Sequence, residues 1–245
     1  MKEVLYTIPL NDAMGLGGEC PFCHIEKEIE QDLLDFVLGS GASYMEADIR
    51  SQTDKEGFCR DHFHKMFAYG NTLGNAWILK THYMRIRDEF GNEVKRFSPG
   101  KVSLKDRLMK NGSTDNTMVR WLEEKNNSCY ICKRFSDTYE RYVATFFHMY
   151  RNEADFPGRV KESKGFCLAH FEDLMKAAEK ELSSKEQEGF YPMMFNLMEE
   201  NLARLQEDVS WLVEKFDYRN KDADWKNSKD AVQRGMQKLK GGLYE

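Results

Sequence analysis

The chain has 245 residues with 36 Lys and Arg against 41 Asp and Glu, a net charge of −5. A chain this long buries roughly 70–75% of its unfolded surface, so bulk stability needs no disulfide staples. The acidic excess is spread along the sequence, which argues against a nucleic-acid partner, and no apolar run approaches the roughly 18 residues of a membrane span.

The first residues, M-K-E-V-L-Y-T-I-P-L-N-D-A-M, have neither an apolar signal core nor a small-residue cleavage site, so a cytoplasmic protein is expected. A short strand at Val4–Ile8 stays open. From Pro21 to Leu38, Ile25, Ile29, Leu33 and Phe36 recur at helical spacing, and Gly39-Ser40-Gly41 ends the run. A helical turn is expected at 44–50 and a polar loop at 51–57. A long helix follows at about 59–90, with Phe63, Met66, Phe67, Leu73, Trp77 and Met84 as its stripe and Gly70 and Gly74 marking a bend or close contact. Residues 116–125 and about 129–151 read as helices, and Phe156-Pro157-Gly158 as a break. Further helices are expected at 167–182, at 186–217 with Phe190, Met194, Leu197, Met198, Leu202, Leu205, Val209, Leu212 and Phe216 as its apolar stripe, and at 228–240. Two local basic stretches, 95–110 and 226–240, read as a solvated linker and an exposed tail helix.

All six cysteines fall into a doubled pattern. Cys20-x2-Cys23 is followed by Gly57-Phe58-Cys59-x2-His62-Phe63, and Cys129-x2-Cys132 by Gly165-Phe166-Cys167-x2-His170-Phe171, offset by 108–109 residues. Such self-similarity indicates an internal duplication. Of the six histidines only His62 and His170 belong to it; His24 is matched by Lys133 and His64 by Glu172, and His82 and His148 have no counterpart. Three thiolates and one imidazole complete a tetrahedral zinc shell. Cys-x2-Cys turns two sulfurs to one side, Pro21 suits the first position of a helix, and Cys-x2-His places its pair on one helix face. The expectation is two zinc ions, one in each half: Cys20, Cys23, Cys59 and His62, then Cys129, Cys132, Cys167 and His170. The competing readings weaken in turn. Haem attachment needs Cys-x-x-Cys-His and an oxidising, exported setting, and the second half has Lys133 in place of the histidine; a thioredoxin-type pair needs a βαβ setting, and an iron–sulfur cluster held by three cysteines and a histidine stays open.

The expected architecture is all-α, a helical bundle of two repeated, zinc-clipped helical units. The first covers 1–92, a linker 93–115, the second unit 116–218 and a C-terminal tail helix 219–245. Beyond the cysteine motifs, Y-T-I-P-L-N-D-A, Y-M-E-A-D-I-R, K-F-D-Y-R and N-S-K-D-A-V together resemble a family of bacterial proteins catalogued as a domain of unknown function. That resemblance implies no activity, substrate or catalytic residues.

A closed four-ligand site leaves no position for substrate, and neither a phosphate loop nor a nucleophile elbow is present. The favoured reading is therefore a zinc-stabilised binding or regulatory module with a protein partner, rather than an enzyme. A redox or metal sensor using zinc thiolates, a zinc enzyme with an open metal position, and nucleic-acid binding through the basic linker are the alternatives.

Overall fold

Punctuation in the sequence sets most helix ends. The computed structural model describes residues 4–97 and 116–244. Among these it has eleven α-helices and no strand: α1 (Val4–Gly15), α2 (Pro21–Leu38), α3 (Ala47–Glu56), α4 (Arg60–Ala68), α5 (Thr72–Arg96), α6 (Thr117–Asn127), α7 (Tyr130–Asn152), α8 (Phe156–Glu162), α9 (Leu168–Glu181), α10 (Ser184–Lys215) and α11 (Ala231–Lys240). The all-α expectation is met. Pro21 opens α2, where its missing N–H costs nothing. The Asn71 side chain accepts the Gly74 N–H at the start of α5, Asn116 does the same for Met118 and Val119 in α6, and Ser183 with Glu186 forms a capping box on α10.

Several expected boundaries move. Val4–Ile8 is helical, as the first turns of α1. The polar segment 51–57 is mostly helix, the second half of α3. The long helix expected at 59–90 is two helices, broken at Gly70, whose φ of 85° ends α4 and resets the phase. Of the expected stripe, Phe67, Leu73 and Met84 are exposed, whereas Met66 before the break is buried, as is Ile78 after it. Pro157 starts α8 instead of breaking the chain. The stripe of α10 holds at Phe190, Met194, Leu197, Met198 and Leu205, whereas Leu202 and, at the end of the run, Phe216 are exposed. The linker and the basic stretch 95–110 lie largely outside the described residues.

The chain forms two compact units, Met1–Ile29 with Asp137–Glu245, and Glu30–Ser136. They are composed differently from the two sequence halves: the first joins the N-terminal segment to the C-terminal half, and the second is the continuous middle. The core of the first unit is aromatic. Phe146 meets Phe22, Phe147, Phe156 and Phe166 with ring centroids 5.3–6.0 Å apart, and all five rings are fully buried. The core of the second unit gathers Leu34, Val37, Leu38, Phe58, Met66, Ile78, Tyr130 and Ile131.

In the second unit, α6 is fastened to α5 through Glu89, which pairs with Arg85 at 2.6 Å and Lys125 at 2.7 Å and accepts the Trp121 indole N–H at 3.3 Å. Burial opposes the Glu89 charge, but the hydrogen bonds from Lys125, Arg85 and Trp121 outweigh it and hold the carboxyl below its ordinary value of 4.5. A depressed folded-state pKa stabilises above the unfolded value and is lost as pH falls through the folded value. The Glu89→Gln variant is therefore expected to lose about 1 kcal/mol or less at neutral pH, with the loss vanishing in strong acid, as read by urea denaturation across pH.

The glycines of the two Gly-Phe-Cys segments have a backbone reason. Gly57 sits at φ 64° and ψ −159°, and Gly165 at φ 76°. These are conformations that side-chain-bearing residues rarely adopt. A Cβ on Gly57 would also stand 3.0 Å from the His82 ring, and one on Gly165 3.2 Å from Met198 Sδ. Gly57→Ala and Gly165→Ala are each expected to cost at least 1–2 kcal/mol, measured by thermal unfolding.

Candidate metal centres

Each Cys-x2-His begins a helix. Cys59 and Cys167 are the N-caps of α4 and α9, in extended backbone. The histidine three residues on lies at the third helical position, over the same turn. Each Cys-x2-Cys also lies at a helix start: Cys20 precedes α2 and Cys23 is in its first turn, while Cys129 precedes α7 and Cys132 is in its first turn. All four segments therefore aim their donors from helix N-termini, where the peptide dipoles favour anionic sulfur.

The donors meet in two groups, and the pairing corrects the within-half expectation. The first group is Cys20, Cys23, Cys167 and His170; the second is Cys59, His62, Cys129 and Cys132. In each, the Cys-x2-Cys of one half meets the Cys-x2-His of the other. The first group lies wholly in the first compact unit and the second wholly in the second.

The geometry suits one ion in each. In the first group His170 Nδ1 lies 3.3 Å from Cys20 Sγ, 3.7 Å from Cys23 Sγ and 3.1 Å from Cys167 Sγ. In the second, His62 Nδ1 lies 3.1 Å from Cys59, 3.3 Å from Cys129 and 3.3 Å from Cys132, and the Cys59 and Cys132 sulfurs are 3.7 Å apart. A tetrahedral zinc with ordinary bond lengths separates sulfurs by about 3.8 Å and sulfur from nitrogen by about 3.6 Å. Within each group every ligand atom lies within 4.8 Å of every other.

The outer nitrogens carry the second test. His170 Nε2 lies 3.2 Å from Glu26 Oε1. With Nδ1 turned to the sulfurs, that is the carboxylate–histidine arrangement that fixes the tautomer of a metal ligand. Among the described residues, His62 Nε2 is buried without a hydrogen-bond partner. Glu30 Oε1 stands 3.4 Å from it and is also paired with Lys65.

Electrostatics divide the sulfurs, pulling one thiol of each group down and pushing another up. Hydrogen bonds from Cys20 and Cys23 hold the Cys167 thiol far below its usual range, against burial and with further help from His170. Burial works against charge on His170, but Cys167, Cys23 and Glu26 outweigh it and raise the imidazole to about 12. Burial pushes the Cys20 thiol well up, and the neighbouring Cys167 and Cys23 add to it. In the second group burial and Cys129 push Cys132 up to about 12. Burial also acts to raise Cys59, yet the backbone N–H of His62, with help from Cys132 and Cys129, leaves it lowered. A divalent cation is the counter-charge such sets call for.

The first group has a surround that its motif does not announce. Lys238 of α11 is buried, and its ammonium donates to the carbonyls of Glu19 at 2.7 Å and Lys164 at 2.6 Å. Glu19 immediately precedes Cys20, and Lys164 immediately precedes the Gly-Phe-Cys segment, so one ammonium ties together the two strands of chain that deliver the ligands. The Glu19 carboxylate, itself buried, lies 2.5 Å from Arg204, 3.4 Å from Arg234 and 3.4 Å from Lys238. A Cβ on Gly241, just past α11, would lie 3.4 Å from Cys167 Sγ and 3.8 Å from Cys23 Sγ. The segment 226–240 is thus not an exposed tail: Ala231, Gln237 and Lys238 are buried and Arg234 is engaged by Glu19, Asp208 and Asp230.

Sequence spacing singled out the eight residues that gather into the two groups, but not Glu19, Glu26, Glu30, Lys238 or the pairing. Glu26 and Glu30 stand four residues apart on α2, where their spacing is that of ordinary solvent-facing charges. Neither donor group includes His24, His64, His82 or His148. Among the described residues no helix is long and apolar enough to cross a membrane.

Removing one member of the buried ion cluster weakens it without stripping it, because Arg204 and Arg234 keep Asp208 and Lys238 keeps its two carbonyls. Glu19→Gln is expected to cost about 1–3 kcal/mol in denaturant unfolding, and Lys238→Met to destabilise in the same direction.

Fold and sites define an all-α protein with two three-cysteine, one-histidine groups able to hold metal ions. The profile of a family of unknown function (DUF6062) matches residues 1–245, and the chain belongs to that family. No curated protein and no solved structure matches it significantly.

Proposed function

We propose that the protein is a zinc-stabilised interaction module, with one structural zinc ion in each donor group and a protein as its partner. The observation that carries the zinc reading is the completeness of each shell: four converging soft donors, with the first histidine's outer nitrogen held by a carboxylate. Thiolate-rich tetrahedral sites select zinc over hard cations. Four protein ligands leave no coordination position for substrate or activated water, which favours a structural over a catalytic role. In each unit the ion would clip the start of one helix to the start of another and so supply folding free energy directly.

The partner reading draws on α5. Leu79, Tyr83, Met84, Phe90 and Val94 are exposed there, and Tyr83, Met84, Ile86, Arg87 and Phe90 line a shallow apolar groove. Exposed apolar patches of this kind mark interaction surfaces.

Elemental analysis of protein purified without added metal is expected to give two zinc ions per chain and no visible absorption. Iron with charge-transfer bands would contradict it. Chelation under denaturant should leave a chain that does not regain its near-ultraviolet circular dichroism until zinc is returned; full recovery without zinc would remove the structural role. For the partner, a protein captured by the wild type is expected to be lost with Tyr83→Asp and Met84→Asp, both of which keep two zinc ions.

A further inference from the structure

The two donor groups differ in exposure. Cys20, Cys23, Cys167 and His170 are all buried, with Gly241 lying against two of the sulfurs. In the second group Cys129 and His62 are buried, but Cys59 is only half-buried and Cys132 is exposed. These two more accessible sulfurs come from different helix starts and stand 3.7 Å apart. Cysteine oxidation follows access and thiolate character, and a sulfenic acid with a thiol in reach resolves to a disulfide.

We propose that Cys59 and Cys132 form a reversible, peroxide-sensitive thiol pair whose disulfide opens the second donor group while the first remains closed. One of the two sulfurs attacks a peroxide oxygen as thiolate; the S–O bond forms, the O–O bond breaks and hydroxide leaves. The other then attacks the sulfenic sulfur as thiolate; the S–S bond forms, the S–O bond breaks and a second hydroxide leaves. Two solvent protons convert both hydroxides to water, so two thiolates give up two electrons and one hydrogen peroxide is reduced to two waters. The sulfurs must approach from 3.7 Å to about 2.05 Å, a movement of under about 1 Å for each. Cys129 and His62 are left as a two-donor remnant, too few for a structural site. A small thiol reductant, oxidised to its own disulfide, returns both thiolates.

Cys132, in the first turn of α7, is the more exposed of the two sulfurs.

The metal-release arm rests on the zinc reading; the cross-link arm does not. Protein of measured zinc content is treated with hydrogen peroxide, released zinc is followed with a chromogenic chelator, and peptides are mapped without reduction. The expected result is release of one of two zinc equivalents, a Cys59–Cys132 linked peptide, retention of the second equivalent to at least tenfold higher peroxide, and reversal by a thiol reductant. Cys132→Ser should abolish the linked peptide. Because that variant also removes a donor, the wild-type peptide map decides. A link between other cysteines, no link, or loss of both equivalents together would overturn the proposal. Starting protein without zinc would overturn the zinc reading alone, and the peptide map would still decide the thiol pair.

Discussion

Everything in this structure depends on four short segments meeting in the right pairs. Along the chain they run Cys20–Cys23, Cys59–His62, Cys129–Cys132 and Cys167–His170, and the first closes with the last while the middle two close with each other. The contacts are nested, like two pairs of brackets. His170 and Cys20 are 150 residues apart, and Cys129 and His62 are 67 apart. This nesting accounts for the composition of the compact units: the outer closure gathers both ends of the chain, and the inner closure folds the middle on itself.

Why the chain closes this way is a matter of packing more than of distance along it. A within-half site would join Cys23 to Cys59 over 36 residues, whereas the observed one joins Cys23 to Cys167 over 144. A fourfold longer loop costs only about 1.2 kcal/mol more in closure entropy. The residues beside the ligands outweigh that. Phe22, inside the first Cys-x2-Cys, packs against Phe166 with ring centroids 6.1 Å apart and against the ring of His170 at 5.7 Å. Tyr130, inside the second, meets Phe58 at 6.1 Å, and its N–H donates to the Gly57 carbonyl at 2.9 Å. Each motif thus carries an aromatic that fits the Gly-Phe-Cys of the opposite half. Buried aromatic pairs contribute about 0.5–1.5 kcal/mol beyond their burial.

The members of the two cysteine–histidine groups and the helix class were legible because the cysteine spacing is repeated in both halves and because helical periodicity is strong in α2 and α10. The pairing was not legible, since a doubled motif is equally compatible with pairing inside or across the halves. Lys238 and Glu19 were hidden for another reason. A lysine in a basic C-terminal helix reads as a solvated charge, and only the fold shows that its ammonium is consumed by two backbone carbonyls beside the first donor group. The break at Gly70 was hinted at by the glycine itself, but the change of phase after it, with Leu73 exposed and Ile78 buried, needs the backbone angle.

Paired ligand substitutions test the nested closure most directly. Zinc per chain should be measured for two double variants, Cys20→Ser with Cys167→Ser, and Cys20→Ser with Cys59→Ser. Nested closure puts Cys20 and Cys167 in one site, so the first variant should keep one zinc ion, and it puts Cys20 and Cys59 in different sites, so the second should keep none. The reverse result, with the Cys20 and Cys59 variant retaining one ion and the Cys20 and Cys167 variant retaining none, would show that each half closes on itself and would contradict the account.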